Sequence, residues 1–384
     1  LNGVTVGNTE GQIYQIEYGE FFEGQNTSSL SLTTGTQPGG TTEGIDIVFP
    51  PWSYIFSMSD FDTTTFTNGR TEFGLWTTYG DYVAYNFENQ VRSGTNTVTI
   101  KYLNTNYESD SVDVLQAALK AIKNSTLDKD DINLLIVATT TPDNTFPSTA
   151  TMVQKKLDIK GAAFDIQAVC AGFVFALSVA KSLMKDNNYK NCLVIGADSM
   201  SKLLDWKDRS TAVLFGDGAG AVILENKENI DNKLDDWGIL SNVIHSDGDY
   251  YDLLKTNGGV STDQKIGFIE MAGKEIFKHA VEKLSLSFQE ALKLSYKNIK
   301  QIDWLIPHQA NQRILLAVAD RLKIDPVKVI STVMQHGNTS AASIPLALDY
   351  AINNNKVRNG HLIGFQAIGG GLSWGASVVR YGKP

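Results

Sequence analysis

The chain has 384 residues, 42% of them hydrophobic and 20% charged, with a net charge of −9. This composition is ordinary for a soluble globular protein of two or three domains, long enough to bury a sizeable core. The charge is unevenly spread: residues 1–107 hold three basic residues (Arg70, Arg92 and Lys101) against eleven acidic ones, and the remainder is near neutral. Nucleic acid is therefore not an expected partner of either part. No stretch approaches the ~18 consecutive apolar residues of a membrane span, and the N-terminus lacks the pattern of a signal peptide, so no membrane partner is expected. The chain has only two cysteines, Cys170 and Cys192, which suits a reducing, cytoplasmic setting and argues against a disulfide scaffold or a metal site.

Residues 1–107 form an acidic segment that contains no Cys or His and alternates in strand fashion, as in "GQIYQIEYGEFF" and "NTVTIKYLN". Turn signals such as "TNGR", "TYGD" and "SGTN" separate the runs, predicting an antiparallel β region, with a β-sandwich as one form it could take. The ending "SGTNTVTIKYL" is similar to the closing strand of carbohydrate-binding sandwiches. A packed sandwich with no sugar site is the plainer reading.

From residue 108 helices alternate with apolar strands. "SDSVDVLQAALKAIKNS" places Val112, Leu115, Ala118, Leu119 and Ile122 on one helical face, with Ser109 or Ser111 as N-cap. "NLLIVATTTP" reads as a strand buried on both faces, "STATMVQKKL" as a helix and "AFDIQAV" as a strand. "CAGFVFALSVAKSLMKD" is the next helix, followed by strands in "NCLVIGADSM" and "TAVLFGDGAGAVIL". The remainder repeats this rhythm: strand "WGILSNVIHSD", helix "EIFKHAVEKLSLSFQEALKLS", strand "IDWLIPHQ" and helix "NQRILLAVADRL". Then come strand "VISTVMQHG", helix "SAASIPLALDYAI" and closing strands "GHLIGFQAIG" and "SWGASVVRYG". The expected organisation is a duplicated α/β core with halves at 108–230 and 231–384.

Three residues carry candidate chemistry. Cys170 stands where a strand meets a helix, where unpaired N–H groups and the helix dipole favour a thiolate; Ala171 and Gly172 leave room for a substrate. A small buried structural cysteine is the alternative. His308 ends "IDWLIPHQ" at a strand's carboxyl edge, where α/β ligand sites gather, or it is a satisfied core histidine. Asn338 in "HGNTSAAS" reads equally as a turn residue or cap. His245, His279, His336 and His361 are expected in surface or structural roles.

Over residues 108–384 the sequence resembles the type III β-ketoacyl-acyl-carrier-protein synthases of the thiolase fold. The resemblance rests on "VATTTPDNTFPSTA", "DIQAVCAGFVFAL", "FGDGAGAVIL", "MAGKEIFK", "WLIPHQANQRI", "HGNTSAASIPLAL" and "IGGGLSWGAS". It implies a duplicated five-layer α-β-α-β-α core and a decarboxylating condensation of an acyl-coenzyme A primer with malonyl-acyl carrier protein. Cys170 would be the nucleophile, and His308 and Asn338 the hydrogen-bond donors to the enolate left by carbon dioxide. The N–H of Cys170 and that of Gly370 would form the oxyanion hole. Arg209 and Asn311 match positions that touch coenzyme A and its pantetheine arm. Lys274, Lys278 and Arg313 match the carrier-protein face. Phe146 matches a residue that reaches a partner's acyl pocket across a homodimer interface. No permanently bound cofactor is implied, since coenzyme A arrives as substrate.

The family's opening strand, reading like "ILGTGSYLP", and its "DEWI" and "RTGI" segments, which supply the Trp and Arg that sandwich adenine, have no counterpart here. The missing strand is expected to be central to the first sheet. Either Thr95–Leu103 replaces it or that segment closes the β region and leaves the synthase half incomplete. The rival functional reading is an impaired synthase-like protein whose β region binds a glycan or a protein.

Overall fold

In the computed structural model the described residues are the strands within 1–113 and residues 114–185, 189–227 and 236–382. The chain divides into two compact units, Leu1–Ser109 and Asp110–Pro384. In the first, β1 (Val4–Gly7), β2 (Ile13–Tyr18), β3 (Thr27–Thr34) and β4 (Gly94–Lys101) form an antiparallel sheet in sequential order. Strand β4 pairs with β3, Val98 opposite Leu30. Residues 95–101 of the segment Thr95–Leu103 thus belong to this sheet. The sandwich and sugar-binding expectations for 1–107, and the caps at Ser109 and Ser111, fall on residues outside the described ones.

The second unit opens with α1 (Val114–Asn124), β5 (Leu134–Ala138), α2 (Thr149–Leu157), β6 (Ala162–Ile166) and α3 (Gly172–Lys185). Strands β7 (Asn191–Ser199) and β8 (Asp217–Glu225) complete a sheet of order β6-β5-β7-β8, in which β8 alone runs antiparallel. Next come β9 (Gly238–Ser246), the hairpin of β10 (Leu254–Thr256) and β11 (Ile269–Met271), α4 (Gly273–Leu294), β12 (Trp304–Pro307) and α5 (Gln312–Leu322). The chain ends in α6 (Val333–His336), α7 (Ser343–Asn353), β13 (Leu362–Gly369) and β14 (Ser373–Arg380). The second sheet has the order β12-β13-β14-β9.

Strand alternation explains the layering. In β5, Leu135 and Val137 face a cluster with Val114 and Ala118 of α1 and Val153 of α2, whereas Leu134 and Ile136 face the central helices. There Phe173 and Leu177 of α3 and Ile344 and Leu348 of α7 pack between the two sheets, meeting Ile363 and Phe365 of β13. On the far side Leu284 and Phe288 of α4 and Val318 of α5 cover Leu305, Leu362 and Val378. Helices, sheet, helices, sheet and helices give the expected five layers.

Three expectations are corrected. The segment "VISTVMQHG" holds no strand: only Val329 bridges to Leu305, and residues 333–336 turn into α6. The cause is Gln309, whose side chain donates to Ile330 O and accepts from Thr332 N–H, drawing the backbone off the sheet. Leu119 is 42% exposed, so the buried stripe of α1 narrows to Val114 and Ala118 with Leu115 and Ile122 half-covered. The first sheet has no central gap: β6, β5, β7 and β8 are contiguous, with β8 at an edge among the described residues.

Candidate active site

Cys170 lies in a single 3₁₀ turn, Val169–Ala171, between β6 and α3. Val169 takes a left-handed φ of 48°, which turns the chain sharply into the helix. The backbone at this turn is crowded. A Cβ on Gly369 at the end of β13 would lie 2.6 Å from Cys170 N, so only glycine lets the second sheet reach the nucleophile's amide. Cys170 is 3% exposed. Burial pushes its thiol up to about 12, and the nearby Asp198 charge raises it further. Desolvation thus opposes the pull of the helix mouth toward the thiolate.

His308 follows β12, and its N–H donates to Gln366 O of β13 at 2.6 Å. The ring is 2% exposed, and burial lowers it from 6.5 to about 3, so the imidazole is neutral. Its Nδ1 lies 2.6 Å from Ser343 Oγ, which also accepts from Gln309 N–H. Assigning the Ser343 hydroxyl proton to this bond makes Nδ1 the acceptor and leaves the hydrogen on Nε2, a donor.

Asn338 follows Gly337, which has φ 62°. Its backbone bridges to the 214–216 segment, the N–H donating to Leu214 O and the carbonyl accepting from Gly216 N–H. The side-chain Oδ1 accepts from Ser340 N–H at 2.9 Å, so the amide offers its Nδ2 hydrogens. One short stretch, 338–343, thus holds Asn338, packs through Ala341 against Gly172 beside Cys170 and holds His308 through Ser343. The three candidates from distant parts of the sequence meet around it.

The residue that anchors this stretch escaped the sequence reading. Asp198, fully enclosed at the end of β7, accepts from Thr140 N–H at 2.6 Å and from Ala341 N–H at 3.1 Å. Burial raises its pKa against the pull of these donors. A carboxylate inside the apolar run "CLVIGADS" was the available signal. Gly196, two residues earlier, abuts Ala341 O, where a Cβ would clash. Ser343 offered no such signal.

The other candidates are more dispersed. Gly370 sits beside Gly369 in the same loop, its α-carbon turned toward Leu254 O. Arg209 is exposed on a turn organised by Asp208, which accepts from Ser210 and Thr211. Asn311 caps α5 by accepting from Ile314 N–H, a structural task for its oxygen. Lys274 and Lys278 are exposed on the first turns of α4, and Arg313 lies 5.6 Å from the Phe277 ring between them, making one cationic face. Phe146 is 83% exposed. The remaining histidines have ordinary partners: His245 pairs with Glu290, His279 packs at a tilt against Tyr250 and His361 accepts from Trp304. His336 ends α6. Among the described residues no cluster could hold a metal ion, and no helix is long and apolar enough to cross a membrane.

Comparison with known proteins bears on the whole arrangement. Residues 164–248 match the profile for 3-oxoacyl-[acyl-carrier-protein (ACP)] synthase III, and residues 292–381 match its C-terminal counterpart. The β-ketoacyl-[acyl-carrier-protein] synthase III of Wolbachia pipientis wMel is 53% identical over 269 residues, covering 70% of this chain and 82% of that protein. The crystal structure of the Aquifex aeolicus synthase III is similar with a TM-score of 0.66 at 42% identity, covering 71% of this chain and 85% of the other. The Pseudomonas aeruginosa synthase gives 0.67 at 36% identity, covering 72% and 84%. With its duplicated core and buried Cys170, His308 and Asn338, the chain belongs to the β-ketoacyl-acyl-carrier-protein synthase III family.

Proposed function

We propose that this chain is an acyltransferase-type condensing enzyme that joins an acyl-coenzyme A primer to malonyl-acyl carrier protein, giving 3-oxoacyl-acyl carrier protein and starting fatty acid synthesis. The observation that carries the reading is the convergence of a buried thiol and a neutral buried imidazole on the stretch 338–343. Cys170 Sγ attacks the thioester carbonyl, and the departing coenzyme A thiolate takes up the proton that Cys170 loses. The N–H groups of Cys170 and Gly370 hold the oxyanion. Malonyl-acyl carrier protein then releases carbon dioxide. The resulting enolate oxygen receives hydrogen bonds from His308 Nε2 and Asn338 Nδ2, which suits donors that stay uncharged. The carbanion attacks the acyl-cysteine, and Cys170 leaves as product forms.

Arg209 would meet the coenzyme A phosphates, and Asn311 the pantetheine arm with its remaining amide hydrogens. The cationic face of Lys274, Lys278 and Arg313 fits an acidic carrier protein. Exposed Phe146 is assigned to a homodimer contact beside the partner's acyl pocket. The two free, buried cysteines suit the cytoplasm. The test is mass spectrometry of the full chain after incubation with acetyl-coenzyme A and branched acyl-coenzyme A. An acyl group on Cys170, absent from Cys170→Ala and discharged as 3-oxoacyl product by malonyl-acyl carrier protein, is expected. An unmodified Cys170 sinks the reading.

A further inference from the structure

Gly370, to which an oxyanion-holding N–H is assigned above, stands in a run of three glycines, 369–371. Such a loop has no side chains of its own to pack, so its backbone must be held from outside if one N–H is to keep its aim. Three contacts hold it. Gly369 abuts Cys170 N, Gly370 abuts Leu254 O, and the carbonyl of Leu372, just past the glycines, accepts from Asp247 N–H at 2.9 Å. The first contact belongs to the nucleophile's turn. The other two come from one segment, 247–254, in which Asp247 caps the 3₁₀ turn Gly248–Leu253 by accepting from Asp249 N–H.

Lys283 of α4 grips this segment and the strand that follows the loop at once. Its Nζ lies 3.9 Å from the centre of the Trp374 ring, 4.6 Å from that of Tyr250 and 4.0 Å from Asp247 Oδ2. Each of these partners leads to the loop. Trp374 in β14 is the second residue after Leu372, Asp247 supplies the N–H to Leu372 O, and Tyr250 sits in the turn that delivers Leu254 to Gly370. The lysine side chain is 14% exposed, so its ammonium is largely withdrawn from water, where attraction to ring faces and a carboxylate is least screened. The same helix adds a second hold on each ring. His279, one turn before Lys283, packs against Tyr250, and Glu290, two turns beyond it, bonds His245, which stacks on Trp374. Lys283 joins the two. We propose that Lys283 is a positioning residue for the oxyanion hole: by tying Asp247, Tyr250 and Trp374 together it fixes the glycine loop, so that Gly370 N–H meets the thioester oxygen when Cys170 attacks. The inference rests on the reading of Gly370 under the proposed function. Methionine would fill the same space without the charge, whereas arginine would keep a cation able to stack on both rings.

The experiment compares the full chain with Lys283→Met and Lys283→Arg in two reactions of Cys170 and in hydrogen exchange. Acylation by acetyl-coenzyme A develops charge on the carbonyl oxygen, whereas alkylation by iodoacetamide displaces iodide from a saturated carbon and asks nothing of an oxyanion hole. Lys283→Met is expected to slow acylation about tenfold, with KM for acetyl-coenzyme A little changed, and to be alkylated at the normal rate. In that variant Asp247 N–H should exchange about tenfold faster, with the middle of α4 unchanged. Lys283→Arg should stay within about twofold of the unmodified chain in all three measurements. Acylation unchanged in Lys283→Met overturns the proposal, as does equal slowing of acylation and alkylation, the mark of a general structural role. Unchanged exchange at Asp247 also overturns it. An unmodified chain that is alkylated at Cys170 but takes no acyl group overturns the reading of the site instead, and the exchange result still decides whether Lys283 holds the loop.

Discussion

Helices α3 and α7 share the central layer, and each is entered through one 3₁₀ turn, Val169–Ala171 for the first and Ser340–Ala342 for the second. The first residue of each turn is left-handed, Val169 with φ 48° and Ser340 with φ 49°. Such a conformation costs about 1–3 kcal/mol in a residue with a side chain, so both halves sustain the strain. The next position is Cys170 in one half and Ala341 in the other. Cys170 keeps a free thiol, whereas Ala341 is tied down by Asp198 and crowded by Gly196. The duplicated geometry has thus been divided by chemistry: the first half carries the nucleophile, and the second surrounds it with donors.

The largest effect expected from this division is at Cys170. Cys170→Ala should lower condensation at least about 10³-fold, and adding Ala341→Cys should restore none of it, because Ala341 sits in the packed core between the halves, its backbone held by Asp198. Rescue by the second substitution would show the two turns to be interchangeable. Cys192 provides the contrast. It is buried near the start of β7 opposite Leu224, so Cys192→Ala should keep activity and lose about 1–2 kcal/mol in urea unfolding.

The second half is separated from the first by asking which step fails. His308→Ala and Asn338→Ala should each lower condensation about 10²–10³-fold while Cys170 still becomes acylated by acyl-coenzyme A within about tenfold of the normal rate. Equal loss of both steps would mean that the donors belong to the nucleophile's activation. Quench-flow with mass detection of acyl-Cys170 separates the two.

A third expectation concerns pH. His308 is held neutral in the fold, its pKa lowered from 6.5 to about 3 by burial. The unfolded chain therefore binds a proton that the folded one refuses. The stability associated with neutral His308 is present above pH 6.5 and is lost as pH falls from there toward 3, with the unfolding constant rising about tenfold per pH unit from this group. Asp198, raised by burial, acts with the opposite sign and favours the fold as pH falls. Urea unfolding of His308→Gln beside the unmodified chain between pH 8 and 5 isolates the histidine: the gap between them should narrow as pH drops. A constant gap would contradict the assignment.

Most of the second unit was legible because its strands are apolar on both faces and its helices carry clear periodicity. Cys170, His308 and Asn338 were visible as residue types at element ends. What the sequence could not convey is long-range contact. Nothing near Ser343 announces that it orients His308, and nothing near Val329 announces that Gln309 will pull it off the sheet. The desolvation that opposes a Cys170 thiolate was hidden for a related reason, since local helix-mouth physics was visible and the enclosing second half was not. The gap expected at the sheet centre is absent because strand order is a property of tertiary pairing.

The smallest effects should appear at the surface, where each half presents a different cation. Arg209 stands on a first-half turn and Arg313 on the second-half face with Lys274 and Lys278, both exposed to solvent. Screening limits such charges to fractions of a kcal/mol for single contacts, more where several act on one acidic partner. Arg209→Ala should raise KM for acyl-coenzyme A about threefold and leave KM for malonyl-acyl carrier protein unchanged. Arg313→Glu should do the reverse, raising KM for the carrier-bound substrate about tenfold with kcat little altered, because charge reversal repels the partner before any chemistry begins. The Arg313 effect should shrink as ionic strength rises, and malonyl-coenzyme A, which lacks the carrier's acidic surface, should be insensitive to it. Steady-state kinetics with both donors at low and high salt reads all of these. If Arg313→Glu slowed both donors alike, the face would serve the site's structure, and the division of surfaces between the halves would not extend beyond the catalytic centre.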